Sequence, residues 1–354
     1  MADGWSWPGR HPALVANTAV TLPGGVVAAG ILADGLVSLG AWRLAALLVH
    51  EAFHVFQAAH PSPAWEANEL DALTYPRTEV AVVQSRAEEA ASLALALAHP
   101  DPEGWEAAAR TALAWRAARF GRLSPQHVLY ERRMETLEGL AHFVETRFSD
   151  ETPQLDGGQD AGANVREWAY RSGAALAHLL ARGAEGWQTQ VMAGVPLDQL
   201  LAAHIGSAEP PAPNPDLLEV ACRAAQAADT QLTTLRTEFQ HLPGPRLTLH
   251  AEVPWRVVGF DPLNVYALPD GSLLHRRYLR LSGAGGELEV MGAPALTHGP
   301  HPLSVSHLEV ASLPPDLEPS LTDSRWRLIS GSLQANVPAR AVTPDGQSGW
   351  EIRF

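Results

Sequence analysis

The segment His50-Glu51-Ala52-Phe53-His54 constrains this chain more than any other. It sits within an apolar run, Ala41 to Val49 before it and Val55 to Ala59 after it, that ends at Pro61 and Pro63. Such a run predicts a buried helix over residues 40–59, stopped by the two prolines. Residues four apart on a helix share a face, so His50 and His54 aim two imidazoles at one point. Two histidines and a glutamate on a buried helix are costly to desolvate unless they are paired or hold a metal. Glu51, next to the first histidine, can then accept a proton from a water activated by the same metal. The pattern points to a hydrolytic Zn2+ site and requires a third ligand.

Composition narrows what that ligand can be. Cys222 is the only cysteine, which excludes an intramolecular disulfide and a cysteine-based metal cluster. The third ligand must therefore be His, Asp or Glu. All 25 basic residues are arginine. The absence of lysine reads as the codon bias of a high-GC genome and excludes a Schiff-base lysine. A net charge of −14 argues against nucleic acid or an anionic membrane surface as the partner. Met1 to Pro8 lacks a basic region followed by an apolar core, so no signal peptide is read there. No apolar run is long enough to span a bilayer. The expected location is the cytoplasm.

The chain divides by character. Residues 13–32, with Pro23-Gly24-Gly25, suggest a short hairpin. Helical patterns cover 40–59, 78–98, 103–120, 125–147, 161–182 and 196–204. Residues 207–215 are proline-rich and read as a linker, followed by an amphipathic connecting helix over 216–243. From 244 to 354 the pattern turns to strands, among them 246–250, 255–260 and 274–280, with a turn signal at Pro269-Asp270-Gly271. The expected fold class is α+β: a mainly helical domain over 1–206 and a smaller, mostly β domain over 244–354.

The richest source of a third ligand is the stretch Glu131 to Glu145. On a continuous helix Glu131, Glu135, Glu138, His142 and Glu145 would share one face. Gly139 interrupts this helix, where it costs about 1 kcal/mol relative to alanine. A glycine directly after a glutamate suggests a close backbone approach. Arg116, Arg119 and Arg122 either pair with this acidic stripe or solvate the surface. His60 and His142 are either partners of the ligands or ordinary histidines.

Glu138-Gly139-Leu140-Ala141-x-x-x-Glu145 is similar to the segment that follows H-E-x-x-H in gluzincin metallopeptidases, notably the neutral aminopeptidase family. The resemblance implies that Glu138 is the third zinc ligand, with Glu135, one turn earlier, as the alternative. Tyr170-Arg171-Ser172-Gly173-Ala174 resembles the family's Tyr-x-x-Gly-Ala segment, which would make the Tyr170 hydroxyl the donor to the oxyanion. The resemblance covers roughly residues 40–205 and implies a zincin-like catalytic domain.

Three features depart from the family. Leu137 stands where asparagine is usual, and 84 residues separate His54 from Glu138, far more than is usual there. An insertion of two helices, roughly 78–120, would account for that length. No Gly-x-Met-Glu-Asn segment precedes His50, so aminopeptidase specificity is not implied.

The expectation is a zinc metallopeptidase acting on a peptide or protein, with Glu51 as general base. The alternatives are a zincin scaffold that binds without cleaving and a zinc hydrolase of small amides or esters.

Overall fold

The computed structural model describes residues 18–22, 24–32, 40–283, 286–318, 320–338, 342–345 and 349–353. Met1–Pro8, the start of the expected hairpin and Pro23 lie outside them. The chain divides into two compact units, Met1–Ala225 and Gln226–Phe354. The fold class is α+β, as expected: helices dominate the first unit and an antiparallel sheet the second. Among the described residues no helix is long and apolar enough to cross a membrane.

The first unit opens with an antiparallel hairpin, β1 (Thr18–Thr21) and β2 (Val27–Gly30). Helix α1 (Gly40–Ala59) follows, and the short α2 is Leu70–Leu73. Then come α3 (Val80–Ala98), α4 (Pro102–Phe120) and α5 (Pro125–Met134). Asp101 and Ser124 accept hydrogen bonds from backbone N–H groups at the starts of α4 and α5, each followed by proline, so both boundaries are set locally. A π-turn, Glu135–Gly139, joins α5 to α6 (Leu140–Ser149). The unit continues through α7 (Gly157–Ala161), α8 (Val165–Leu180), α9 (Trp187–Met192) and α10 (Leu197–Ile205). Its main core joins Leu93, Trp105 and Leu113 to Trp168, Leu176 and Leu201.

Helix α11 (Pro215–His241) crosses the division. Ala221 and Ala225 pack with Val83, Ala87 and Ala161, whereas Leu235 and Phe239 pack with Leu268, Leu274 and Leu296.

In the second unit β3 (Leu247–Phe260) is the longest strand. It is followed by β4 (Val265–Ala267), β5 (Leu273–His275), β6 (Tyr278–Gly283), β7 (Gly286–Met291), β8 (Ala295–His298) and β9 (Ser304–Val310). Strands β10 (Ser320–Thr322), β11 (Arg325–Ile329), β12 (Leu333–Pro338), β13 (Val342–Asp345) and β14 (Gly349–Arg353) complete it. The sheet order is β10-β11-β12-β7-β6-β3-β9-β8-β5-β4, and β14 joins β13 to β3. Among the described residues every pairing is antiparallel except that of β14 with β3, which is parallel. Alternation puts Leu288 and Val290 of β7, Trp326 and Leu328 of β11, and Ala335 and Val337 of β12 into one core.

Several expectations need correction. The helix expected over 125–147 is interrupted by the π-turn, and the one expected over 161–182 begins at Val165, where the Asn164 side chain caps it. The runs 246–250 and 255–260 form one strand, which a bulge between His250 and Trp255 carries past Pro254. The run 274–280 is two strands, because the chain changes partners between them: β5 pairs with β4 and β8, and β6 with β3 and β7. Helix α1 is not wholly buried: Trp42, Leu48 and Phe56 are exposed at 60%, 44% and 40%, while His50, Glu51 and Gln57 are buried.

Candidate metal centre

The inward face of α1 carries the chemistry. His50 and His54, one turn apart, bring their Nε2 atoms to 3.3 Å. Glu138, in the π-turn, places Oε2 at 3.3 Å from His54 Nε2 and 3.8 Å from His50 Nε2. Ligand atoms of the three residues lie within 4.8 Å of one another.

The far side of each imidazole fixes its tautomer. His50 Nδ1 lies 3.1 Å from Glu145 Oε2, and His54 Nδ1 lies 2.7 Å from Gln57 Oε1. Gln57 is oriented in turn, because its Nε2 donates to the carbonyls of Thr136 and Leu137 at 3.2 and 2.9 Å. A carboxylate and an amide oxygen can only accept, so both Nδ1 atoms carry the hydrogen. In the neutral rings both Nε2 atoms then present lone pairs to one point, where Glu138 presents another. This is the arrangement by which outer partners orient metal-binding histidines.

Glu138 is held from its other oxygen. Arg166 Nη2 donates to Oε1 at 2.7 Å, and the same guanidinium pairs with Glu69. Oε2 is buried and lacks a well-formed hydrogen bond among the described residues, as does Oε2 of Glu51. Burial disfavours the Glu138 charge, but His50, His54 and Arg166 outweigh it and hold the carboxyl well below its ordinary range. Burial would also lower the His50 pKa, yet the bonded carboxylates of Glu138 and Glu145 lift it to about 9. A proton thus balances the carboxylates when nothing else does. Two imidazoles, one ionised carboxylate and two orphaned buried oxygens fit a divalent cation of the zinc type.

Glu51 is 4% exposed; burial raises its carboxyl above the ordinary value, against the pull of His50 and His54. A carboxyl shifted in this direction holds a proton more readily than an exposed one. The Tyr170 ring stacks on His50 with centroids 5.9 Å apart and planes 11° from parallel. Burial, then the Glu138 charge, raises the Tyr170 pKa, which keeps the phenol protonated as a donor.

The acidic stripe does not share one face. The π-turn changes the helical phase between its members, so Glu131 and Glu135 point away from the His50–His54–Glu138 cluster into a buried arginine site. Glu135 receives Arg116 through both terminal nitrogens, at 2.7 and 2.6 Å, and Ser172 Oγ at 2.5 Å. Arg119 bonds Glu131 at 2.6 Å and Glu89 at 2.5 Å. Arg122 is exposed and takes no part in this network of Arg116 and Arg119. Helices α3 and α4, which lengthen the gap between His54 and Glu138, thus supply Glu89, Arg116 and Arg119.

Gly139 and Gly173 explain how the two helices meet. A Cβ on Gly139 would lie 2.7 Å from the Gly173 Cα, and one on Gly173 would lie 2.5 Å from the Glu135 carbonyl oxygen. The backbones touch, and this contact sets Tyr170 beside the π-turn. His142 joins the cluster indirectly, with Nδ1 at 3.0 Å from Glu145 Oε2. His60 turns back to the Phe56 carbonyl at 2.8 Å and stacks on the exposed Phe56 ring, outside the cluster.

Gln57, Arg166 and Glu69 were not singled out from sequence. Gln57 follows His54 by three positions and Arg166 precedes Tyr170 by four, so helical spacing could have found both. Glu69 precedes the four-residue helix α2, where no period points anywhere. Compared with family models, curated proteins and solved structures, the chain matches none.

Proposed function

We propose that this protein is a zinc-dependent hydrolase that cleaves peptide bonds. The observation that carries the reading is the convergence of three lone-pair atoms, from His50, His54 and Glu138, beside the orphaned carboxylate oxygen of Glu51. The likeness of Glu138–Glu145 and Tyr170–Ala174 to gluzincin segments supports the same reading and makes a peptide or protein the substrate.

His50, His54 and Glu138 would hold the metal. When bound, zinc supplies a Lewis acid that polarises a carbonyl and brings the pKa of water down to about 7. Glu51 accepts the proton of the attacking water and returns it to the leaving nitrogen, so that a C–O bond forms as the C–N bond breaks. Tyr170 donates its hydroxyl hydrogen to the oxygen on which negative charge develops; loss of such a donor costs about 3–4 kcal/mol of barrier in other enzymes. Arg166 and Glu145 act as positioning residues, fixing Glu138 and His50.

Metal analysis paired with a peptide-library cleavage assay tests the proposal. One tightly bound zinc per chain is expected, together with cleavage that Glu51→Gln removes while metal content stays unchanged. Full zinc occupancy in a His50→Ala/His54→Ala variant would overturn the site. Zinc with no cleavage by the unaltered protein would overturn the peptidase reading.

A further inference from the structure

The sheet of the second unit holds another pair of facing imidazoles. His250 on β3 and His307 on β9 are direct cross-strand partners, and their ring centroids lie 4.7 Å apart. Their Nδ1 atoms are 3.2 Å apart. The outer nitrogen of each ring meets a carboxylate: His250 Nε2 lies 3.3 Å from Glu351 Oε1, and His307 Nε2 lies 3.2 Å from Glu309 Oε1. Arginines hold both carboxylates, Arg353 on Glu351 at 2.7 Å and Arg246 on Glu309 at 3.6 Å.

An ionised carboxylate only accepts, so each Nε2 carries the hydrogen. In the neutral rings the two Nδ1 lone pairs then face each other, a repulsive arrangement until something positive lies between them. Two Zn–N bonds of about 2.05 Å meeting at a tetrahedral angle would place their nitrogens about 3.3 Å apart. The observed Nδ1–Nδ1 gap of 3.2 Å is close to that spacing. The two side chains are 47% and 30% exposed, so an ion can reach them from solvent.

We propose that His250 and His307 form a second metal site, distinct from that on α1, that binds a borderline divalent transition ion such as Zn2+ through both Nδ1 atoms. Glu351 and Glu309 position the rings. With two protein ligands the site leaves coordination positions open to water or to an anionic group, and it binds more weakly than the three-ligand cluster of the first unit. The inference does not depend on hydrolase activity.

Imidazole 15N NMR of the full chain, titrated with Zn2+ alone, tests it. The metal-free spectrum should show both rings hydrogenated at Nε2. Zinc added beyond the tightly held equivalent should then shift the Nδ1 signals of His250 and His307 together. His307→Asn should abolish the His250 shift, and Glu309→Gln/Glu351→Gln should weaken binding about tenfold or more, the usual effect of losing outer partners. Signals of the two rings that stay still in excess Zn2+, or a His250 shift that survives His307→Asn, would overturn the site.

Discussion

Glu135 and Glu138 carry the same side chain three positions apart, and both are buried, yet their neighbours differ in kind. Glu135 is saturated by Arg116 and Ser172, whereas Glu138 has one oxygen bound and one facing imidazoles. Glu138→Ala should therefore lower zinc affinity by roughly 100-fold or more, since loss of an outer partner alone costs 10–100-fold. Glu135→Ala should act on stability, because it leaves the buried Arg116 only Glu89, which it shares with Arg119; breaking a buried pair costs up to about 3–5 kcal/mol. Zinc titration and denaturant unfolding of both variants separate the two roles. The reverse order of effects would make Glu135 the ligand.

At the scale of elements, the π-turn and the glycine contact are one device. The turn separates the two glutamates, and Gly139 and Gly173 let α8 approach close enough to bring Tyr170 to His50. Gly173→Ala tests this by setting two effects against each other. Alanine should gain about 1 kcal/mol in helix propensity, but its Cβ would meet the Glu135 backbone, which has no flexible end to yield. Overpacking of 1–3 kcal/mol or more should win. A variant with an unchanged or raised unfolding midpoint would show that the contact is not a constraint.

The shared face of His50 and His54 on α1 was legible because four-residue spacing is a local property. The interruption by Gly139 was legible as a close approach, though its partner was not. The split of the stripe was hidden, because a π-turn leaves no periodic signature and the compensating arginines come from α3 and α4. The sheet was legible as strands, but the division of 274–280 rests on a change of partner strands, from β4 and β8 to β3 and β7, that periodicity does not encode.

For the whole molecule, stability should depend on pH through the second unit as well. His275 is 2% exposed, bonds Thr297 at 3.1 Å through Nε2, and is lowered by burial to about 4. The unfolded chain, with a pKa near 6.5, takes up the proton first. The contribution is therefore complete above about pH 6.5 and falls away as pH drops toward 4. The loss is on the order of 3 kcal/mol across that window. Hydrogen exchange of β5 and β8 amides should report it, and His275→Gln should flatten the slope; a wild-type slope in that variant would exclude His275 as its source.

The parallel pairing of β14 with β3 also has a temporal meaning. Every group of the α1 His/Glu cluster has been synthesised once residue 170 is made, whereas Leu247–His250 of β3, which pair with β9 on one side, lack their other neighbour until residues 350–353 exist. Pairings so distant in sequence form slowly, and the earlier unit of a growing chain folds first. On the ribosome, the amides of α1 and α8 should gain protection while those of Leu247–His250 that bond β14 still exchange. The protein would then spend part of its synthesis with a finished His/Glu cluster and an unfinished sheet.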